Sequence, residues 1–209
     1  PMLPVMGAVR PWADPGITSI NRLPMSPPSP AFRSVDEARA TDPAEPVRSP
    51  THKSLDGRWS FRLFDHPDAV PATAITRPPS GQRWKQVAVP GNWTMQHVVD
   101  QRRQPDLPHY TNVQMPFAGP PPRLPDRNPT GVYRRTITIA KRWLDRQVIL
   151  HVGGAESVHL LYVNGTFVGY GTDSRLASEY DVTTHLRAGR NDIAIAVVKF
   201  SAHSYVEDQ

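Results

Sequence analysis

The chain has 209 residues and no cysteine, so a disulfide framework, a zinc–thiolate site and a cysteine nucleophile are excluded. Its formal net charge is +5 at pH 7, but the basic residues are scattered, which argues against a nucleic-acid-binding protein. Neither a stretch near the roughly 18 apolar residues of a membrane span nor a secretion signal is present, so we expect no membrane partner and a cytoplasmic location.

Residues 1–53 are rich in Pro, Ser and Ala and show no sustained hydrophobic period. The many prolines forbid a continuous helix and remove the donors that a sheet needs. One short helical turn is predicted over residues 34–40, where Ser34 precedes Glu37 at the spacing of a capping box. We interpret residues 1–53 as an extended amino-terminal arm that packs against another body and is mostly disordered in isolation.

The pattern changes at Ser54, where the predicted domain of residues 54–209 begins. Apolar and polar residues alternate over residues 58–63, which is the period of a half-buried strand. Val87 and Val89 predict a second short strand that ends at a Pro-Gly pair. The Pro-rich residues 107–129 are expected to run over the surface as an ordered loop.

The second half of the chain is denser in strand signals. Apolar or β-branched runs occupy residues 132–139, 148–152, 158–163, 166–170 and 191–200, with a short helical turn at 183–186. Asn164-Gly165 separates two of these runs, and Asn-Gly is the strongest short hairpin signal because both turn residues need positive φ. Together these runs predict an all-β fold, an antiparallel β-sandwich with a Pro-rich amino-terminal arm.

The sequence contains no recognised catalytic motif. H-E-x-x-H, G-x-S-x-G and phosphate-loop patterns are missing. Residues 169–171 (GYG) open like a dinucleotide fingerprint, but Ser174 stands at the third glycine position and no helix is predicted to follow. Three residues of the types found in a hydrolytic triad are crowded near the end of the chain, without the separation in sequence that would suggest triad geometry: His203, Ser204 and Asp208.

Two further groups of residues have structural interpretations. Asp173 and Arg175 are expected to form a pair that braces a loop. Four of the five tryptophans are spread along the chain at strand and loop ends rather than grouped as a sugar-stacking platform, so we expect them in the core: Trp59, Trp84, Trp93 and Trp143.

A series of segments resembles, in order and spacing, the sugar-binding domain of glycoside hydrolase family 2. They are residues 54–61 (SLDGRWSF), 89–93 (VPGNW), 108–113 (PHYTNV), 128–133 (NPTGVY), 163–165 (VNG), 168–181 (VGYGTDSRLASEYD), 186–191 (LRAGRN) and 204–209 (SYVEDQ). Residues 12–22 of the arm resemble the start of the long bacterial β-galactosidases of that family. The resemblance covers nearly the whole chain.

This resemblance implies a jelly-roll domain of the galactose-binding type, at the start of a longer enzyme that hydrolyses terminal β-D-galactosides, lactose included, with retention. Retention needs two carboxyl groups about 5–5.5 Å apart. In the family both belong to a later TIM barrel, and no glutamate of this chain lies in a catalytic context. We therefore predict no catalytic residue among these 209. The carboxyl end of the domain is expected to lie beyond Gln209.

One residue of this chain is implied to touch the sugar. The Asn of the family's Tyr-Thr-Asn-Val loop reaches the galactose pocket and matches Asn112 here. Its amide can both donate and accept hydrogen bonds with sugar hydroxyls. The Asp that binds sodium in the family follows the position of Gln209, so its role is not transferred to Asp208. We predict no metal site in this chain, while Mg²⁺ and Na⁺ are implied for the full-length enzyme.

The implied partners are a β-galactoside, the remaining domains of the same enzyme and further copies of it in a tetramer, with the arm packed against a neighbouring domain or subunit. Two alternatives stay open. One is a stand-alone, non-catalytic carbohydrate-binding module. The other is a sister activity that shares the sandwich, β-glucuronidase or β-mannosidase, although the Tyr-Thr-Asn-Val loop and the arm favour β-galactosidase.

Overall fold

The computed structural model describes residues 9–25, 32–42, 51–96, 98, 102, 106–109 and 117–207. The strands in this part of the chain are β1 (Ser19–Ile20), β2 (Gly57–Phe64), β3 (Lys85–Val89), β4 (Thr130–Ile139), β5 (Ile149–Val152), β6 (Val158–Val163), β7 (Thr166–Gly171), β8 (Ser178–Asp181) and β9 (Gly189–Val198). The α-helices are α1 (Val35–Ala40), α2 (Ala72–Thr76) and α3 (Ser204–Glu207). None of the helices among these residues has the length and apolar character needed to cross a bilayer.

The strands form two sheets in which every pairing is antiparallel. The larger sheet has seven strands in the order β1-β7-β6-β9-β4-β2-β3, and the smaller one consists of β5 and β8. The predicted antiparallel sandwich is confirmed. The strands expected from alternation and from the β-branched runs are all present, with ends shifted by at most two residues.

The hairpin between β6 and β7 turns at the predicted Asn-Gly pair. Asn164 has φ of 53° and Gly165 has φ of 81°, so both occupy the left-handed region that this turn requires. The Asn164 side chain also donates a hydrogen bond to the His185 carbonyl at 2.9 Å. The turn is thereby tied to the connection that precedes β9.

The seven-stranded sheet is buried on both faces. One face packs against β5 and β8 around a core that includes Trp59, Phe61, Trp93 and Tyr180. The other face is covered by the arm and α2; its core residues include Trp12, Phe64, Val70, Ile75, Val132, Leu160, Tyr162 and Tyr170. Burial on both faces explains why five of the six residues of β6 are apolar or aromatic, the sixth being His159.

Arg134 of β4 is one of the residues buried by this second layer. Its guanidinium donates to the carbonyls of Ala74 and Arg77 at the end of α2, at 2.7 and 2.9 Å, and pairs with Asp192 at 3.1 Å. Burial lowers the pKa of Arg134, while Asp192 opposes that shift. Arginine side chains are mostly solvent-exposed, but here α2 lies over this position and leaves only 2% of Arg134 exposed.

One strand of the arm, β1, belongs to the same sheet. β1 pairs with β7, opposing Ser19 to Gly171, and the amide of Leu23 then donates to the Glu179 carbonyl of β8 at 2.9 Å. The arm therefore joins the two sheets along one side of the sandwich. Its contacts with other domains or subunits, and the domain boundary at residues 53 and 54, stay predictions.

The short helix predicted in the arm is confirmed as α1. The hydroxyl of Ser34 accepts a hydrogen bond from the Glu37 amide at 3.1 Å, and the Glu37 carboxylate accepts one from the Arg33 amide at 2.7 Å. The first bond satisfies an amide that the first turn leaves without a helical partner, whereas the second goes to the residue before the N-cap and not to the Ser34 amide that a full capping box would use.

Candidate functional site

The predicted loop that contains Asn112 begins at a buried ion pair. Asp106 is 3% exposed and accepts a hydrogen bond from the indole of Trp93 and another from the Lys199 ammonium, both at 2.5 Å. Lys199, directly after β9, also donates to the Leu107 carbonyl at 2.8 Å. A buried carboxylate is tolerated only when its charge is compensated, and here a cation and an N–H donor supply that compensation.

The same loop ends on aromatic contacts with the segment after β9. Phe117 stacks on Tyr205 with ring centroids 4.3 Å apart and meets Phe200 edge-on at 5.7 Å. On the incoming side, His109 meets Phe200 edge-on at 5.9 Å. Both ends of the loop are therefore held against residues 199–205.

Asn112 itself lies outside the described residues, as do Tyr110 and Asp208. Its contact with a sugar thus stays a prediction. The described residues on either side, 106–109 and 117, fix the place where its loop leaves and rejoins the sandwich.

Residues 199–205 are in turn held by Asn128, the first residue of the N-P-T-G segment. Its buried amide donates to the Phe200 carbonyl at 2.8 Å and accepts from the Phe200 amide at 3.0 Å. Nearby, the Ser157 hydroxyl donates to that of Ser201 at 2.7 Å. Because the main chain of Phe200 and the Ser201 hydroxyl are paired in the interior, this part of the segment forms a fixed base for the loop.

The GYG segment lies within β7 and has a packing role. A Cβ on Gly169 would lie 2.4 Å from the ring of Tyr180, and one on Gly171 would lie 2.6 Å from the Tyr180 hydroxyl. The Tyr180 ring therefore occupies the space where side chains would project from β7. Because the glycines sit in a strand and not in a strand-to-helix turn, they form no dinucleotide site.

Tyr180 also partners a fully buried histidine. Its hydroxyl oxygen is 2.9 Å from Nε2 of His159. Burial, together with the nearby Arg22 guanidinium, lowers the pKa of His159 to about 4. The ring is therefore neutral at physiological pH, and this histidine serves the interior of the sandwich.

Among the remaining candidates, both ring nitrogens of His203 are buried without a hydrogen-bond partner in the described part of the chain, whereas three other side chains have local partners. Glu179 is 3.1 Å from Nδ1 of His151, and the hydroxyl of Ser204 accepts from the Ser201 amide at 3.1 Å. Asp173 accepts from the amides of Arg175 and Leu176 at 3.4 and 3.3 Å, so it braces its loop through the main chain. Within the described ranges no group of three or more His, Asp or Glu side chains could hold a metal ion.

Of the tryptophans expected in the core, Trp59 and Trp93 are 3% and 7% exposed, while Trp84 and Trp143 are half-buried at the edges of the two clusters. The Asp106–Lys199 pair is the main feature that sequence reasoning missed. Its partners are separated by 93 residues, so only the fold brings them together.

A large cleft opens between the two sheets, with a volume of about 1380 Å³. Its floor is the face of the seven-stranded sheet, where Tyr133, Ile137, Ile195 and Val197 line it, and one wall is the continuous run of residues 148–157 that contains β5. His109, Lys199 and Phe200 stand at the end where the Asn112 loop is attached. We call this space the inter-sheet cleft.

The chain is similar to proteins of one family. Residues 52–209 match the sequence model described as "Glycosyl hydrolases family 2, sugar binding domain". Over 205 residues the chain is 40% identical to a β-galactosidase of Erwinia tasmaniensis, a match that covers 97% of this chain and 18% of that protein. The chain thus spans less than a fifth of the length of this curated relative.

Solved structures agree on the fold. A β-glucuronidase of Bifidobacterium dentium, complexed with coumarin-3-O-glucuronide, aligns with 26% identity and a TM-score of 0.50 over 69% of this chain and 19% of its own. A β-glucuronidase from an uncultured Clostridium aligns with 19% identity and a TM-score of 0.52, over 69% of this chain and 21% of its own, a likeness of fold alone. The ordered motifs, the antiparallel sandwich and these matches together establish that the chain belongs to glycosyl hydrolase family 2 and carries its sugar-binding domain.

Proposed function

We propose that the chain is the amino-terminal part of a β-galactosidase that hydrolyses terminal, non-reducing β-D-galactosides, lactose included, with retention. The observation that carries this proposal is the 40% identity to a β-galactosidase, which extends over 97% of the chain and therefore includes the arm as well as the domain. The two catalytic carboxylates, with the Mg²⁺ and Na⁺ of the full-length enzyme, belong to polypeptide outside these 209 residues.

In this proposal the domain supplies part of the sugar pocket through Asn112. The support lies in the anchors of its loop: the Asp106–Lys199 ion pair at one end and the Phe117–Tyr205 stack at the other. A side chain held on a fixed base orients a substrate without losing as much conformational entropy on binding as one on a free loop. The enzyme works as a cytoplasmic tetramer, and the arm contributes to its assembly.

The test is a comparison of substrates on the full-length enzyme. Turnover of p-nitrophenyl β-D-galactoside well above that of the β-D-glucuronide is expected, and the reverse order would contradict the proposal. Asn112→Ala should lower kcat/KM by roughly 10- to 100-fold, as expected for one or two lost hydrogen bonds to substrate. The 209-residue chain alone should give no turnover.

A second candidate activity is β-glucuronidase. The observation in its favour is the 26% identity to the Bifidobacterium dentium enzyme over 69% of the chain. That match is lower in identity and shorter in coverage than the match to the β-galactosidase. The same pair of substrates decides between the two activities.

A further inference from the structure

A basic surface lies at the β2–β3 end of the seven-stranded sheet. Residues 57–96 contain five Arg or Lys residues but only two Asp. Both aspartates are already paired, Asp65 with Arg127 at 3.4 Å and Asp68 with Arg10 at 2.5 Å. No ion pair in the described part of the chain involves any of the five cations, which are Arg58, Arg62, Arg77, Arg83 and Lys85. This end of the sheet therefore carries unbalanced positive charge.

Arg62 is held in place by the ring of Phe64. The two residues alternate with Phe61 along β2, so they share the face that the arm and α2 cover, which we call the outer face. The guanidinium carbon of Arg62 lies 4.6 Å from the centroid of the Phe64 ring, close enough for a cation–π contact. Burial, and secondly the charge of Arg83, lower the pKa of Arg62. Arg62 thus carries a partly desolvated charge near a second cation.

Arg83 is placed by the turn that leads into β3. The Trp84 amide donates to the Gly81 carbonyl at 3.2 Å, and Gly81 has φ of 83°, in the left-handed region. Trp84 packs against the core of the outer face, and the chain then pairs with β2 as β3. The turn therefore brings Arg83 to the part of β2 that contains Arg62. Arg83 itself is exposed, so its guanidinium is open to a ligand.

A third cation stands at the end of α2. The Arg134 guanidinium donates to the Arg77 carbonyl at 2.9 Å, and Arg134 opposes Ser60 in the ladder between β4 and β2. The end of α2 is therefore held over the outer face at a point two residues from Arg62 along β2. The exposed side chain of Arg77 adds to the positive potential around Arg62 and Arg83.

Two guanidinium groups close together repel each other unless an anion lies between them. An anion that contacts both groups replaces one repulsion by two attractions. The N–H groups of a guanidinium form a planar fork that matches the oxygens of a phosphate group, and such charge-assisted hydrogen bonds are among the strongest in proteins. Two positive charges also match the charge of about −1.5 to −2 that a phosphate group carries at neutral pH.

We propose that Arg62 and Arg83 form an anion site that binds a phosphate group, with the charge of Arg77 adding to the attraction. Inorganic phosphate and the phosphate of a phosphorylated sugar both supply this group. The proposal goes beyond the hydrolysis of galactosides, because none of these three arginines belongs to the segments that hold the Asn112 loop.

A purely structural role explains only part of these observations. Covering the Phe64 ring accounts for Arg62, since long basic side chains often lie over apolar surface. It leaves Arg83 unexplained, because a second cation nearby opposes the charge of the first. A nucleic acid would contact many cations along a strip, whereas the proposed site is built on one close pair.

The test is isothermal titration of the 209-residue chain with inorganic phosphate at a constant ionic strength of about 0.15 M. We expect a Kd of about 1 mM, the affinity that two charge-assisted hydrogen bonds supply. Arg62→Gln and Arg83→Gln should each weaken binding by about tenfold or more. Because Arg83 lies exposed in a turn, its variant tests the site even if Arg62→Gln unfolds. Arg142→Gln, also at an exposed position, is the matched control and should bind phosphate as the original chain does.

Titration with glucose 6-phosphate separates the two sources of the group. A Kd equal to or higher than that of inorganic phosphate assigns the site to free phosphate, and a lower one assigns it to a phosphorylated sugar. No binding of either compound at about 50 mM, or an unchanged Kd in Arg83→Gln, would overturn the proposal. So would a poly-glutamate peptide that binds while phosphate does not, because the surface would then take an acidic segment of a protein.

Discussion

The Lys199 ammonium and the Asp106 carboxylate meet at 2.5 Å across 93 residues of sequence. This ion pair connects the end of β9 to the start of the loop that contains Asn112. Because Asp106 is 3% exposed and Lys199 is 15% exposed at its side chain, neither charge has much access to water. Loss of one partner would leave the other charged and buried.

We expect Lys199→Met to destabilise the chain by about 3–5 kcal/mol, the usual cost of leaving a buried charge without its partner. Urea unfolding of the 209-residue chain measures this loss. In the full-length enzyme the same variant should raise KM for a galactoside more than it lowers kcat, if the pair places a substrate-binding loop. Lys141→Met, at an exposed position, is the control and should change neither quantity.

Arg134 predicts a second large effect on stability. Arg134→Met keeps an apolar stem over the sheet but removes the donors to α2 and leaves Asp192 without its cation. We expect a loss of about 3–5 kcal/mol, because two helix-end carbonyls and a carboxylate lose their partner together. Arg142→Met serves as the exposed control. Equal midpoints of urea unfolding for the two variants would show that the buried guanidinium contributes nothing.

The packing of Tyr180 on β7 can be tested with single methyl groups. Gly169→Ala would place a Cβ 2.4 Å from the Tyr180 ring, so the ring or the strand must move. We expect a cost of about 1–3 kcal/mol, typical of overpacking in a core. Gly153→Ala is the matched control, because its nearest neighbour would be a His151 atom at 3.9 Å. Thermal unfolding of both variants gives the comparison, and equal stability would contradict this role of Tyr180.

His159 predicts a specific dependence of stability on pH. The pKa of His159 is lowered from 6.5 to about 4 by burial and by Arg22. Between these pH values the unfolded chain binds a proton that the folded chain does not, so stability falls as pH decreases from 6.5 towards 4. The shift corresponds to about 3 kcal/mol when complete.

Replacement of this histidine should remove that part of the pH dependence. His159→Gln keeps a polar partner for the Tyr180 hydroxyl and cannot be protonated, so its free energy of unfolding should fall less between pH 6.5 and 4 than that of the original chain. His151→Gln, at an exposed position, is the control. Parallel curves of unfolding free energy against pH for the two variants would refute the assignment.

The fold could be predicted largely from local patterns. The alternation over a few residues predicts the strand β2, and the Asn164-Gly165 pair predicts a hairpin turn; the structure contains both. β1 and β8 were not predicted, because Ser19–Ile20 is too short for a period and Ser178–Asp181 is polar. Pairing with distant strands, rather than local preference, makes these segments extended.

The candidate site was less accessible to sequence reasoning. Asn112 was identified through family resemblance alone, since an isolated Asn in a loop has no distinguishing local signal. Asp106 and Arg134 look like ordinary surface residues in sequence, and only the layers placed over them make them interior groups. An ion pair between residues far apart in sequence leaves no periodic signal, so it cannot be predicted from the sequence pattern.

The arm contacts both sheets, and these contacts determine when during folding it can dock. The partners of Pro11, Ser19 and Leu23 are Tyr170, Gly171 and Glu179, all about 150 residues later in the chain. During synthesis the arm leaves the ribosome before the strands that receive it, so its docking surfaces exist only after most of the domain has been made. Pairing between segments so distant in sequence slows folding, and until β1 pairs with β7 the edge of β7 is exposed to other chains.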